Sequence, residues 1–141
     1  MRNQFKRMQD SGIDRLLFSP QASAMGHHFG SELVSRYWTE ACNDLIARLG
    51  RLFPDKVSPV CQLPQSPGVS PKSWVEELER CVKEQGFVAC NINPDEAGGG
   101  EPFTPSLGDE WWYPLWEKMV ALDVPCTVHA SGSQNPASPT S

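Results

Sequence analysis

The sequence predicts an α/β fold built on parallel strands, and three observations predict it. Short apolar runs alternate along the chain with segments whose apolar residues recur every three or four positions, so strands and helices take turns. The strand-like runs are apolar nearly throughout, as in strands covered on both faces. No pair of such runs flanks a hairpin turn. Parallel strands joined by right-handed crossovers, with helices on the faces of the sheet, satisfy all three.

The elements follow in order. Residues 2–11 read as a helix, with Phe5 and Met8 three apart, and Gly12 ends it. Ile13, Leu16, Leu17 and Phe18 suit a first strand that stops before Pro20. The segment QASAMGHHFGS is polar and small, a loop. Ser31 can cap a long helix whose Val34, Trp38, Ala41, Leu45, Leu49 and Leu52 form one apolar stripe, expected to face the core. Residues 57–64 read as a second strand and 65–71 as a loop. Ser70-Pro71 starts a helix with Trp74, Leu78, Cys81 and Val82 on its apolar face, closed by Gly86. Residues 86–93 give a third strand, followed by a long glycine- and proline-rich loop. From Asp109 a further helix carries Trp112, Leu115, Met119 and Leu122. Val124 to Val128 then form a fourth strand that ends on His129. Residues 1–131 are expected as one domain and the polar tail, 132–141, as unstructured.

Composition removes several function classes. Net charge is −5 with no basic cluster, so no nucleic-acid footprint is present. No apolar run approaches the roughly 18 residues of a membrane span, so no membrane partner is expected. The first residues carry no apolar stretch of the secretory kind. Cys42, Cys61, Cys81, Cys90 and Cys126 are odd in number, widely spaced and set among apolar neighbours. They read as reduced, buried thiols, and a reducing cytoplasm is the expected location. Gly98-Gly99-Gly100 opens no helix with a lysine, which rejects a P-loop or dinucleotide fingerprint. No G-x-S-x-G elbow occurs.

Two architectures fit the pattern, an open doubly wound sheet or part of a (β/α)8 barrel; a whole barrel needs about 200 residues or more. Both place ligands beyond strand C-termini, and the polar residues gather there: Ser19 and Gln21, Gln65 and Ser66, Asn91 and Asn93, then His129. A strand-end imidazole can hold a metal or move a proton, or simply hydrogen-bond a loop. Asn91 and Asn93 can serve a ligand or cap the turn. His27-His28, adjacent in a loop, reads as surface or loop packing ahead of a ligand pair. Glu32, Glu40, Glu76, Glu77, Glu79 and Asp109 lie on helices and read as mostly solvated; Asp95 and Glu96 follow a strand and can reach a site, although the composition of their loop favours simple solvation.

LLFSPQASAMGHHFG (16–30), LPQSPGVSPKSWVEELERCVKEQGFVACNINPD (63–95) and WWYPLWEKMVALDVPCTVHAS (111–131) resemble the amidohydrolase-related metal enzymes, and among them the 4-oxalomesaconate hydratase family. The likeness runs from residue 1 to about 135. It implies a partial (β/α)8 TIM barrel of about four parallel strands. Such enzymes hold a divalent metal, commonly zinc, through an H-x-H on the first strand and through histidine and carboxylate ligands from later strands. His129 matches the ligand histidine of a middle strand. Ser19, Gln21, Ser23, His28, Gln65, Ser66 and Asn91 match or adjoin parts of the substrate pocket.

The resemblance implies a hydratase that adds water reversibly across the C=C bond of an unsaturated oxo-tricarboxylate, in the breakdown of gallate- or protocatechuate-type aromatic acids. The partner is then a small oxo-acid or carboxylate, and a homo-oligomer of the full-length protein stays open. A metal-dependent decarboxylase or hydrolase of the same superfamily shares the barrel and His129. A catalytically inactive truncated module is the rival of another class. The sequence departs from the family in three places. It has no H-x-H, it has Gln21 where an arginine is expected in the SP-x-AS stretch, and it stops matching after Asn135. Glutamine cannot supply a guanidinium's charge to a substrate carboxylate. With one ligand histidine of the three or four needed, the isolated chain is expected to be an inactive fragment.

Overall fold

The computed structural model describes residues 2–29 and 31–130, with the side chains of Arg2 and Ser23 outside the description. Helix α1 (Arg2–Asp10) leads into β1 (Leu16–Phe18), and a 3-10 turn (Ala22–Ala24) precedes α2 (Glu32–Leu52). Strand β2 (Val57–Gln62), α3 (Val75–Gln85), β3 (Ala89–Ile92), α4 (Tyr113–Leu122) and β4 (Cys126–Val128) follow, with 3-10 turns leading into α3 and α4. The tail 132–141 lies outside the described residues.

The four strands form one sheet in the order β1-β2-β3-β4, every neighbouring pair parallel. Strict chain order decides between the two architectures. A doubly wound sheet reverses its strand order at a switch point, whereas barrel strands run in sequence. The fold is therefore a half-barrel with its helices on one face.

Local chemistry sets the element ends. Ser31 accepts a hydrogen bond from the Val34 N–H, Ser70 from Lys72 and Asp109 from Trp111, each satisfying an orphan donor at a helix or turn start. Gly86 ends α3 at φ 73°, a left-handed conformation that favours glycine.

The core lies where α3 and α4 cover β2 and β3. Trp74, Leu78, Cys81, Trp112, Leu115 and Met119 pack there on Cys61, Leu63, Cys90 and Ile92. Trp112 sits at the hub of an aromatic group, with ring centroids 5.6 Å from Trp74, 5.0 Å from Trp111 and 5.7 Å from Trp116.

Helix α2 departs from the sequence expectation. Its sheet-facing residues are Ser35, Thr39, Asn43, Ile46 and Ala47, while Val34, Trp38, Ala41, Leu45 and Leu52 are exposed. The reason is positional: the stripe occupies one flank of the helix. The other flank meets α3 through ion pairs, Arg36 with Glu76 at 3.6 Å and Asp44 with Arg80 at 2.9 Å. Two smaller corrections follow. Glu77 is buried rather than solvated, because Arg80 grips both of its oxygens at 2.7 and 2.8 Å. Cys42 and Cys126 are half-buried, whereas Cys61, Cys81 and Cys90 are buried; all five are free thiols.

Candidate active site

Alternation along the strands defines the concave face. Cys61 and Leu63, and Cys90 and Ile92, point at the helices, so Gln62 and Asn91 between them point the other way. Gln62 stands in register with Asn91, and Asn91 with Thr127. Two residues beyond Thr127, His129 occupies the same face, and its backbone N–H extends the ladder to the Ile92 carbonyl at 2.9 Å. Asn91 Nδ2 donates to Ser19 Oγ at 3.4 Å and to the Pro20 carbonyl at 3.3 Å, tying in the end of β1. The strand ends thus bring Ser19, Gln62, Asn91 and His129 to one rim. Gln62 Oε1 and Asn91 Oδ1 are buried with no hydrogen-bond partner among the described residues, so both can accept from a ligand or water.

Behind the rim runs a buried polar network. The Ser35 hydroxyl donates to the Gln65 carbonyl and lies 3.2 Å from His27 Nδ1. With the hydroxyl hydrogen committed, Nδ1 is the donor, and Nε2 accepts from Gln62 Nε2 at 3.4 Å. Burial lowers the His27 pKa to about 4, so the ring is neutral at pH 7. Gln65 pins the loops after β2 and β3 together. Its Nε2 donates to the Asn93 carbonyl at 2.7 Å and its Oε1 accepts from the Asn93 N–H at 2.8 Å, as a strand neighbour would. The same Nε2 lies 3.5 Å from Glu96 Oε2. Glu96 is only 1% exposed, and burial, reinforced by neighbouring Asp95, pushes its pKa up to about 7.

Asn43 reaches from α2 to support Gln62. Its Nδ2 donates to the Gln62 carbonyl at 2.9 Å and its Oδ1 accepts from the Gln62 N–H at 2.9 Å. Nδ2 also donates to Glu77 Oε1 at 2.7 Å.

Of the sequence candidates, Ser19, Gln65, Ser66, Asn91 and His129 stand at or beside the rim, and Gln65, Ser66 and Asn91 are buried. Gln21 is exposed, and the Ser23 side chain lies outside the described residues. His28 is exposed, its ring 4.0 Å from that of Phe29, and a Cβ at Gly98 would come within 3.7 Å of it. Sequence reasoning missed Gln62 and the inward turn of His27, and read Asp95 and Glu96 as solvated, whereas both are buried. The two-residue alternation of the second strand was the signal that could have found Gln62.

Among the described residues, no group of three or more His, Cys, Asp or Glu is placed to hold a metal ion. A zinc site needs three or four protein ligands, so His129 alone does not make one.

The fold and the rim define a protein of the (β/α)-barrel class with its polar groups at the strand C-termini. The chain belongs to the amidohydrolase family, whose model matches residues 1–141. It is 53% identical over 135 residues to a 2-keto-4-carboxy-3-hexenedioate hydratase of Sphingobium sp., covering 96% of this chain and 39% of that protein. It is 31% identical over 124 residues to a gamma-resorcylate decarboxylase of Polaromonas sp., covering 86% of this chain and 36% of that protein. The crystal structure of 4-oxalomesaconate hydratase from Rhodopseudomonas palustris superposes with a TM-score of 0.80 at 48% identity, covering 92% of this chain and 37% of that one. A dihydroxybenzoic acid decarboxylase from Polaromonas sp., solved with bound manganese and the inhibitor 2-nitroresorcinol, superposes at 0.79 with 27% identity, over 98% of this chain and 39% of that one. The chain thus spans about two-fifths of the length of these relatives.

Proposed function

We propose that this chain supplies four strands of a metal-dependent hydratase that adds water across the C=C bond of 4-oxalomesaconate. The observation that carries the reading is the 53% identity to a hydratase over 96% of the chain, against 31% to a decarboxylase. In this reading His129 gives one neutral imidazole to a divalent metal, zinc in our assignment, and the other ligands come from outside these residues. The Ser19 hydroxyl donates to an oxygen of the oxo-acid, and the unpartnered carbonyl oxygens of Gln62 and Asn91 accept from the water that is added or from the hydroxyl it forms. Gln65 and Asn43 fix that rim in place. Five free cysteines support a reducing compartment, the cytoplasm in our reading. No helix of the described residues is long and apolar enough to cross a membrane.

The test is a chimera in which this segment replaces the matching part of the Sphingobium hydratase. The chimera is expected to consume 4-oxalomesaconate with incorporation of water, whereas the isolated chain is expected to turn over nothing. Carbon dioxide release from gamma-resorcylate by the chimera, without hydration, would move the assignment to the decarboxylases.

A further inference from the structure

We infer that Cys90 and Cys126 are a modification site, where a peroxide oxidises the two thiols to a reversible disulfide between β3 and β4. The pair is defined by contacts inside the sheet, and neither the hydratase reading nor the exposure of any edge enters.

Register brings the thiols together. Cys61, Cys90 and Cys126 are Cα partners on three successive strands, β2, β3 and β4. Partners in register project to the same side of a parallel sheet, here the side covered by α3 and α4. Cys81 joins the row from α3, so four of the five cysteines line one stretch of core. Neighbouring strands lie about 4.8 Å apart, within the Cα range of a disulfide.

The row divides into two pairs. Cys61 hydrogen-bonds Cys81, and that bond, together with burial, holds its thiol well above the usual pKa. The Cys90 S–H has two sulfur acceptors in reach, Met119 Sδ at 3.8 Å and the Cys126 thiol. By accepting, Cys126 is drawn below the usual thiol pKa, while donation and burial raise Cys90. The thiolate is the nucleophile, so Cys126 reacts first and Cys90 stands beside it to resolve the product.

The Cys126 sulfur takes one oxygen from the peroxide as a sulfenic acid, and water leaves. The Cys90 sulfur then displaces the sulfenic hydroxyl, which departs with the Cys90 proton as a second water. Two thiols thus lose two hydrogens and two electrons, and the peroxide is reduced to two waters. Closing the bond draws the Cβ atoms from about the strand spacing to about 3.8 Å, and strain of that kind makes a disulfide readily reduced. The same two strands carry Asn91, next to Cys90, and lead to His129, three residues after Cys126.

The experiment treats the reduced, purified chain with a small excess of hydrogen peroxide. Its intact mass should fall by two hydrogens, and a non-reducing peptide map should join Cys90 to Cys126. Dithiothreitol should restore the starting mass. A link between any other pair within one chain, an oxygen adduct without a link, or no reaction would overturn the inference. Cys126→Ser keeps the shape and should abolish the link, whereas Cys42→Ser, on α2, should leave it unchanged. In urea the five thiols should link without preference for this pair. A preference that survived unfolding would show that strand register is not its cause. Where circular dichroism finds the isolated chain unfolded, the same map on the hydratase chimera decides the matter by the same outcomes.

Discussion

The two halves of the half-barrel bury opposite chemistry against the same sheet. Under α3 and α4, the sheet meets Trp74, Leu78, Cys81, Trp112, Leu115 and Met119. Under α2, it meets Ser35, Thr39 and Asn43, with Ile46 and Ala47 toward the C-terminal end of the helix. The apolar half supplies stability through area removed from water. The polar half supplies position: Ser35 and Asn43 bond to strand termini or the loops beyond them, at Gln62, Gln65 and His27, and Asn43 also donates to Glu77 on α3. A helix that reads as strongly amphipathic therefore turns its polar side inward, and the rim it braces is where the barrel class carries its ligands.

The largest difference between the halves should appear on truncating the hub of the apolar one. Trp112 is fully buried, touches three other indoles and donates from Nε1 to the Pro105 carbonyl at 3.0 Å. Trp112→Ala is expected to cost about 3–5 kcal/mol, from lost burial plus the cavity left behind. Urea denaturation at fixed chain concentration measures it, and a loss below about 1 kcal/mol would mean that the core is centred elsewhere.

How much of this was legible in the sequence divides along the same line. The order of strands and helices, the buried faces of α3 and α4 and the strand-end place of His129 all follow from periodicity, and all stand in the structure. The α2 stripe did not, because periodicity finds the most apolar side of a helix and cannot say which neighbour that side meets. In a barrel a helix touches the sheet and two flanking helices, and here the apolar side is a flank. The rim was half legible. Asn91 and Gln65 read as polar residues gathered at strand ends, whereas Gln62 lies inside residues 57–64, which read as one buried strand, and only the alternation of that strand marks it. His27 and Glu96 were opaque for another reason. Their burial is created by contacts with Ser35 and Gln65, 8 and 31 residues away in sequence, which no local pattern encodes.

The polar half should show itself next through pH. Glu96 is raised from 4.5 to about 7 by burial, so between those values the folded chain holds a proton that the unfolded chain has released. Its contribution to stability therefore falls as pH rises through that window. His27 is lowered from 6.5 to about 4, so in that window the unfolded chain binds a proton that the folded chain refuses. Its contribution falls as pH drops. Each effect is on the order of 3 kcal/mol, and the two oppose one another where the windows overlap. The parent should be nearly flat from pH 4.5 to 6.5. Glu96→Gln should expose a stability that climbs with pH, and His27→Gln one that declines with pH. Thermal midpoints of the three proteins across that range decide it, and parallel curves would show that the two groups are not the source.

The smallest effect, with the opposite sign, is expected at Thr39. It is fully buried on the sheet side of α2, and its Oγ1 has no hydrogen-bond partner among the described residues. The hydroxyl is thus unlike the amide of Asn43 one turn on, which is satisfied at both ends by the Gln62 backbone. Burying an unpaired hydroxyl costs free energy, and valine keeps the shape without the polar atom. Thr39→Val should therefore leave stability unchanged or raise it by about 1 kcal/mol. A loss of more than about 1 kcal/mol in urea denaturation would show that Oγ1 is bonded, for instance to a buried water, and belongs to the network that braces the rim.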